Sequence, residues 1–319
     1  DCLRAVCAVR SAKNRRRLTE KMRYLKTFRT VSQAAEEGFL HEIKRICYDT
    51  FYPFQIFPRK GLQQIEFDDI TLFYGGNGSG KSTLLNVMAT EIGAERIAAF
   101  NKSNFWDDYV CRCETEYYST QTENRCVITS DDVFDYMLDI RSLNDGIHEK
   151  REERLAEYTG YKYAHFQFGG MEEYETLKRS NLAKSKSQSR YIRETLMDNV
   201  REFSNGESAY RYFTSRIREN GVYLLDEPEN SLSPERQLEL THFLENSARF
   251  FGCQFIIATH SPFLLAMKGA KLYDLDQDPV CEQEWFRLKN VRIYYDFFQA
   301  RSDEFVETED KKVNKGGKN

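Results

Sequence analysis

The stretch Gly75-Gly76-Asn77-Gly78-Ser79-Gly80-Lys81-Ser82 decides the fold. It matches G-x-x-x-x-G-K-[ST], the pattern of a phosphate-binding loop. The apolar, β-prone run Ile70-Thr71-Leu72-Phe73-Tyr74 precedes it, and the helix-forming segment Thr83-Leu84-Leu85-Asn86-Val87-Met88-Ala89 follows. A glycine-rich turn without a ligand needs neither neighbour; a phosphate loop needs both. The glycines let successive N–H groups point inward as an anion nest, and the helix start adds its partial positive charge. Gly75 to Gly80, with Thr83 behind them, would then cradle a polyphosphate. Lys81 would reach its β and γ phosphates, and the Ser82 hydroxyl would ligate Mg2+.

Working outward, the second half of the chain supplies matching pieces. Gly221-Val222-Tyr223-Leu224-Leu225-Asp226-Glu227-Pro228 is a short apolar strand ending in two acids, the pattern of a parallel strand delivering carboxylates to the edge of an α/β sheet. Asp226 would hold the magnesium ion through water, and Glu227 would polarise the attacking water, because phosphoryl transfer mainly needs an oriented nucleophile and neutralised charge. A lone Asp-Glu pair after a strand is common, so its weight comes from its partners. Phe255-Ile256-Ile257-Ala258-Thr259 reads as another buried strand, with His260 at its end followed by Ser261-Pro262. A histidine there can contact a γ phosphate. His41, His148, His165 and His242 have no comparable setting, and an ordinary surface or half-buried role is the reading for each. Phe203-Ser204-Asn205-Gly206-Glu207 is a polar turn leading into a helical run from Ser208 to Arg218; alone it reads as an N-capped helix start.

Taken in order, these segments resemble the ABC-type ATPase superfamily over roughly residues 22–300. Gly75 to Ser82 is similar to its Walker A loop, Phe203 to Glu207 to its signature motif and Val222 to Glu227 to its Walker B strand. Ser231-Leu232-Ser233 looks like the D-loop, and His260 like the switch histidine. The resemblance implies an α/β fold: an ABC-ATPase head with a P-loop core sheet, an N-terminal antiparallel β subdomain and a helical insertion. It also implies ATP and Mg2+ as cofactors and a homodimer with two nucleotides sandwiched head to tail. Lys81, Ser82, Asp226, Glu227 and His260 of one chain would then face Ser204, Gly206 and Glu207 of the other. The Q-loop has no obvious counterpart. Gln121 and Gln167 are candidates, but Cys126-Val127-Ile128-Thr129-Ser130 followed by Asp131-Asp132 looks more like the strand and loop of that place.

Ser208-Ala209-Tyr210-Arg211-Tyr212-Phe213 after the signature departs from the Arg- and Ala-rich helix of transporter subunits. The Asp226-to-Asn230 run and Thr259-His260-Ser261-Pro262 look more like the soluble branch. That branch holds RecF, chromosome-maintenance heads and small stand-alone bacterial ATPases often called AAA family. Long coiled-coil arms are not expected: about 120 residues separate loop and signature, and the helical pattern is expected to break at Asn144-Asp145-Gly146.

Composition sets the frame. At about 150 residues per domain, 319 residues allow two units or one elaborated domain. The loop and the Asp226 strand must meet at one ion, so the chain cannot divide between them. The expected organisation is a basic leader at 1–21, an ATPase domain at 22–306 with a helical insertion at about 95–202, and a polar tail at 307–319. Before the loop, Tyr24, Leu25 and Phe28 open a strand, and apolar runs at Phe51 to Phe57 and Ile65 to Phe67 lead on to Ile70. Charged residues make up 30%, and 46 Lys plus Arg against 50 Asp plus Glu leave a net charge of −4, so no global basic field marks a nucleic-acid binder. Gln254, His260, Ser261 and Pro262 interrupt the longest apolar stretch, Phe250 to Met267, so no membrane span is expected. None of the eight cysteines stands in a C-x-x-C pair; reduced, mostly buried thiols and a cytoplasmic location are expected. Asp274, Asp276 and Asp278 resemble the acids of a fused nuclease, but only about 40 residues follow, too few for that domain; Leu272 onward reads as a closing strand and turn.

Lys178 to Arg193 carries six basic residues and no acid. This makes DNA or RNA a candidate partner, against an ordinary solvated loop without an aromatic platform. Three outputs therefore stand: a switch or motor in repair or antiviral defence, with a separately encoded nuclease or effector; a nucleotide-gated module regulating a partner protein; and, against the signature helix, a transporter energiser.

Overall fold

The structure, a computed structural model, describes residues 23–43, 50–118, 122–163, 185, 205–230 and 232–305. In chain order the first elements are β1 (Leu25–Arg29), α1 (Gln33–Glu42), β2 (Gln64–Glu66), β3 (Ile70–Tyr74), α2 (Lys81–Glu91), α3 (Trp106–Val110), β4 (Glu114–Tyr117), β5 (Arg125–Thr129) and α4 (Ser130–Tyr163). Then come α5 (Asn205–Arg216), β6 (Val222–Asp226), α6 (Pro234–Phe250), β7 (Gln254–Ala258), α7 (Pro262–Leu265), β8 (Lys271–Asp274), β9 (Cys281–Glu282) and α8 (Lys289–Gln299).

Two sheets form the α/β core. All of β3 and β7 and the first four residues of β6 are buried. Such continuous apolar runs belong to strands covered on both faces. They lie at the centre of a six-stranded sheet ordered β5-β6-β7-β3-β8-β9, parallel except for the two-residue β9. The expected closing strand is β8, with β9 outside it. A separate antiparallel sheet is ordered β2-β1-β4. It is the expected antiparallel β subdomain, although β4 comes from beyond the phosphate loop. The apolar run Phe51 to Phe57 forms no strand; it turns, and Phe54 stacks on Phe39 at 4.8 Å and meets Tyr109 edge-on at 4.9 Å. Aromatic density there serves a core contact and not strand pairing.

Side chains join the two sheets, Gln254 with the most bonds among those described. Gln254 in β7 is fully buried; its carbonyl accepts from the N–H of Tyr24 and Leu25 at 3.1 and 2.8 Å, and its amide donates to Leu25 and Asp68 carbonyls at 2.9 and 3.1 Å. All its hydrogen-bonding capacity is used on the backbone entering β1 and β3.

The described residues divide into two compact units: one up to Asp132 together with those from Tyr210, the other within Val133–Ala209. Within the range 95–202 expected as a helical insertion, β4 and β5 are instead strands of the two sheets. The break expected at Asn144-Asp145-Gly146 does not occur, since α4 runs 34 residues without interruption. One helical glycine costs about 1 kcal/mol, too little to end a long helix. Ser233-Pro234 and Ser261-Pro262 each place a capping serine before a proline at the first helical position, starting α6 and α7.

Candidate functional site

The sheet order puts the ends of β6, β7 and β3 side by side, with Asp226 opposite Ala258 and Ala258 opposite Phe73. In parallel sheets ligands bind outside the carboxyl ends of the strands. The loop Gly75 to Ser82, the Asp226-Glu227 pair and His260 therefore arrive on one edge, although Ser82 and Asp226 are 144 positions apart.

The loop folds by close approach. A Cβ on Gly75 would lie 2.5 Å from Ser79 Oγ, and Gly80 has a φ of 98°, so both positions require glycine. Gly80 is also the N-cap of α2 and offers no capping side chain. The first N–H groups of α2 thus lack both an intrahelical acceptor and a cap, which is the cradle an anionic phosphate fits. Two braces hold the loop from outside. Lys60 Nζ donates to the carbonyls of Ser79 and Leu275 at 2.8 and 2.7 Å, and Asp276 accepts the Gly76 N–H at 2.8 Å.

Lys81 is 5% exposed and donates to the carbonyl of Gly75 and to His260 Nε2, each at 2.7 Å. Burial lowers its pKa, against the opposing pull of Glu227 and Asp226. His260 is lowered as well, by burial first and by the Lys81 charge second, so the neutral ring accepts from the ammonium. Glu227 follows β6 in the left-handed region at φ 48°. Its Oε1 stands 3.6 Å from His260 Nε2 and 4.0 Å from Lys81 Nζ, while Oε2 accepts from Asn230 at 2.9 Å. Ser82 Oγ donates to Asp226 Oδ1 at 3.2 Å, and burial pushes the Asp226 carboxyl up to about 6.

A hydroxyl beside one carboxylate fits Mg2+, which takes one or two protein oxygens and completes its shell with water and substrate phosphates. Among the described residues no cluster of three or more His, Cys, Asp or Glu offers an all-protein metal cage. A cavity of about 470 Å3 adjoins this pair, lined by Tyr52, Ser82, Asn86, Arg96, Thr129 and Asp226 among others. Ser130 and Asp131, from the segment expected near the Q-loop position, also line it. Of the aromatic residues near the loop, Phe54 and Phe57 are buried in the core, whereas Tyr52 lines the cavity and donates to Thr83 Oγ1 at 3.1 Å.

Other expected residues are placed differently. Asn205, Gly206 and Glu207 open α5, while Phe203 and Ser204 lie outside the described residues, as do Ser231, Gln121, Gln167, residues 1–22, residues 306–319 and, Ser185 apart, the Lys178 to Arg193 loop. Among the described cysteines, Cys126 and Cys253 are buried and raised to about 11, Cys113 is half-buried and raised to about 12, and Cys111 and Cys281 are exposed; the thiols are less uniformly buried than expected. Among the described residues no helix is long and apolar enough to cross a membrane.

Besides Lys60 and Asp276, three further contributors were not legible in the motifs. Glu229 is half-buried, and its Oε1 accepts from the N–H of His260 and Ser261 at 2.6 and 3.1 Å. Asn290 donates to the His260 carbonyl at 2.8 Å. Gln237 accepts from Ser261 Oγ at 2.7 Å and donates to the Leu232 carbonyl at 3.0 Å. Glu229 stands in the quoted acidic run, but its partner is backbone just beyond the end of β7, which no local pattern encodes.

Two family models match the chain. Residues 58–105 match the "P-loop containing region of AAA domain" and residues 199–266 match "AAA domain, putative AbiEii toxin, Type IV TA system". No curated protein matches it. Among solved structures it is similar to an SMC head domain from Thermotoga maritima, at 12% identity over 82% of this chain and 99% of that one with a TM-score of 0.34. It is also similar to an SMC head bound to the C-winged helix domain of ScpA, at 15% identity over 69% and 92% of the two chains with a TM-score of 0.33. A dimeric ATP-binding cassette bound to ADP and phosphate matches at 12% identity over 70% and 88%, with a TM-score of 0.31.

Proposed function

We propose that this chain, a P-loop ATPase domain of the ABC/SMC-like type, binds ATP with Mg2+, closes on a second copy around the nucleotide and hydrolyses it to ADP and phosphate as a switch. The observation that carries the reading is the meeting of Lys81, Ser82, Asp226, Glu227 and His260 at the carboxyl ends of three adjacent parallel strands.

In this reading the backbone N–H groups at the start of α2 and Lys81 bind the phosphates, and Ser82 and Asp226 hold Mg2+, which would neutralise phosphate charge. Glu227, held by Asn230 on Oε2, turns Oε1 toward Lys81 and His260, where it would orient the attacking water and accept its proton. His260, neutral and fixed through its backbone by Glu229, is aimed where the terminal phosphate would lie. ATP binding would take Lys81 away from Gly75 and His260, exchanging these contacts for phosphate oxygens. Ser204, Gly206 and Glu207 would complete the site from the second copy.

Glu227→Gln tests this directly. It preserves shape and removes the base, so ATP binding should persist while turnover falls by about 100-fold or more, and ATP should accumulate a dimer in size-exclusion chromatography. Normal turnover by this variant sinks the proposal. Lys81→Ala should instead lose nucleotide affinity in a fluorescent-ATP titration.

The biological output is read as nucleic-acid-linked repair or antiviral defence, with a separately encoded nuclease or effector, in the cytoplasm. Its support is the basic Lys178 to Arg193 run. Salt-sensitive DNA or RNA binding that disappears when this run is neutralised would support it. Absence of binding at low salt favours the nucleotide-gated protein module.

A further inference from the structure

His260 stands just past the end of β7, where the sheet's own bonds give out. The Thr259 N–H still donates to the Phe73 carbonyl at 3.1 Å. At the next residue side chains take over. Glu229 Oε1 accepts the His260 N–H at 2.6 Å, and the Asn290 side-chain amide donates to the His260 carbonyl at 2.8 Å. With both peptide groups tied, the residue has little freedom to turn its ring away from Lys81, which donates to Nε2 at 2.7 Å. Glu229 belongs to the turn that carries Glu227, but Asn290 reaches in from the first turn of α8, 30 positions beyond His260. That turn also touches the strand before the phosphate loop: the Asn290 N–H donates to the hydroxyl of Tyr74, the last residue of β3, at 3.3 Å, and the Tyr74 ring meets that of His260 edge-on at 6.3 Å. Asn290 Oδ1 accepts the Val291 N–H at 2.8 Å, so the amide turns its nitrogen, the donor end, to His260.

The anchor of this helix is small. Leu288 and Val291 are buried and Asn290 is half-buried, whereas every residue from Arg292 to Phe305 is exposed, Ile293, Tyr294, Phe297 and Phe298 among them. A segment docked by one turn, with few buried apolar contacts, opens far more readily than the sheet behind it. We propose that Asn290 is a positioning residue for His260 and that the first turn of α8 is a latch on hydrolysis. Docked, it keeps the histidine aimed into the phosphate site. Undocked, it frees the histidine and stops turnover while nucleotide stays bound. Binding and turnover separate because the phosphate loop is braced by Lys60 and Asp276, and Lys81 by the Gly75 carbonyl, among the described bonds, and not by α8. The effect on turnover rests on the ATPase reading; the hold on His260 does not.

Two variants of the full chain undo the latch in different ways. Asn290→Ala removes the bond to the His260 carbonyl and keeps the N–H to Tyr74, whereas Val291→Asp leaves the amide in place and undocks the turn by putting a charge at a buried position. Without nucleotide, labelling of His260 by diethyl pyrocarbonate, located by mass spectrometry, reads the ring directly. Nε2 is engaged by Lys81 in the wild type, so both variants should label several-fold faster. With ATP, both should lose turnover by about 10- to 100-fold, at unchanged affinity in the fluorescent-ATP titration. In a His260→Ala background Asn290→Ala should cost nothing further, because it acts only through the histidine, whereas a general structural defect would add its loss. Wild-type labelling rates in either variant overturn the proposal, as do additive losses, or wild-type turnover in either variant while Glu227→Gln is inactive. If the wild type hydrolyses no ATP, the ATPase reading fails and the labelling rates still decide the latch.

Discussion

At Gly80 the backbone φ of 98° strains any L side chain, and a Cβ there would press to 3.3 Å against Ile56. Gly80→Ala should therefore cost about 1–3 kcal/mol, read as a lower midpoint in urea unfolding, and should weaken nucleotide binding by tilting the first turn of α2. Gly78→Ala, with open space around its Cβ position, carries only the strain of its own positive φ. At this scale the residues gathered at the candidate site were readable in advance. Lys81, Ser82, Asp226, Glu227 and His260 each sit at a fixed offset from an apolar run, and the chemistry of polyphosphate demands those types. The groups that hold them in place were not. Glu229, Asn290, Asp276 and Lys60 act on backbone atoms of distant segments, and any polar residue reaching that far would leave the same trace in a sequence.

Two predictions belong to the elements. Gln254 occupies four backbone groups between β7 and the segments entering β1 and β3. Gln254→Leu keeps the volume and strands those groups in the core. It should destabilise by several kcal/mol, at about 1–3 kcal/mol for each buried group left unmatched, and amide exchange should rise first in β1. On α1, Glu36 is 3% exposed, accepts from the Gln55 N–H with one oxygen and has no partner for the other. Burial raises its carboxyl above the ordinary 4.5. The folded state therefore binds its proton more tightly than the unfolded state, so this stabilisation is full below 4.5 and is lost as pH rises through the raised value. Glu36→Gln should flatten that fall and leave the variant relatively more stable at neutral pH, measured as thermal midpoints from about pH 4 to 8. The strands β3, β6 and β7 were legible because strands buried on both faces are predominantly apolar. The uninterrupted α4 and the strandless Phe51 to Phe57 turn were not, since one glycine weighs little against a long helix and aromatic residues suit a core as well as a strand.

For the whole molecule the decisive measurement is complementation between chains. In the proposed ATP-sandwich dimer, Lys81→Ala would disable the phosphate loop and Gly206→Asp the segment facing it from the other copy, so each variant alone should be inactive. Mixed in equal amounts they should recover about a quarter of wild-type turnover, because half the dimers of a two-fold assembly then hold one intact composite site. Recovery near zero would make each chain's site self-contained. The sequence by itself determined the class of fold: a glycine loop between strand and helix, two acids and a histidine after apolar runs can only serve one site if parallel strands bring them together. The strand order was decided only by the tertiary structure. Placing β7 between β6 and β3 puts His260 within 2.7 Å of Lys81, and that order depends on which buried faces pack and on the Gln254 stitch, both long-range. The exposed face of α8 was equally hidden, because an amphipathic pattern encodes an apolar stripe but not whether the rest of the chain covers it.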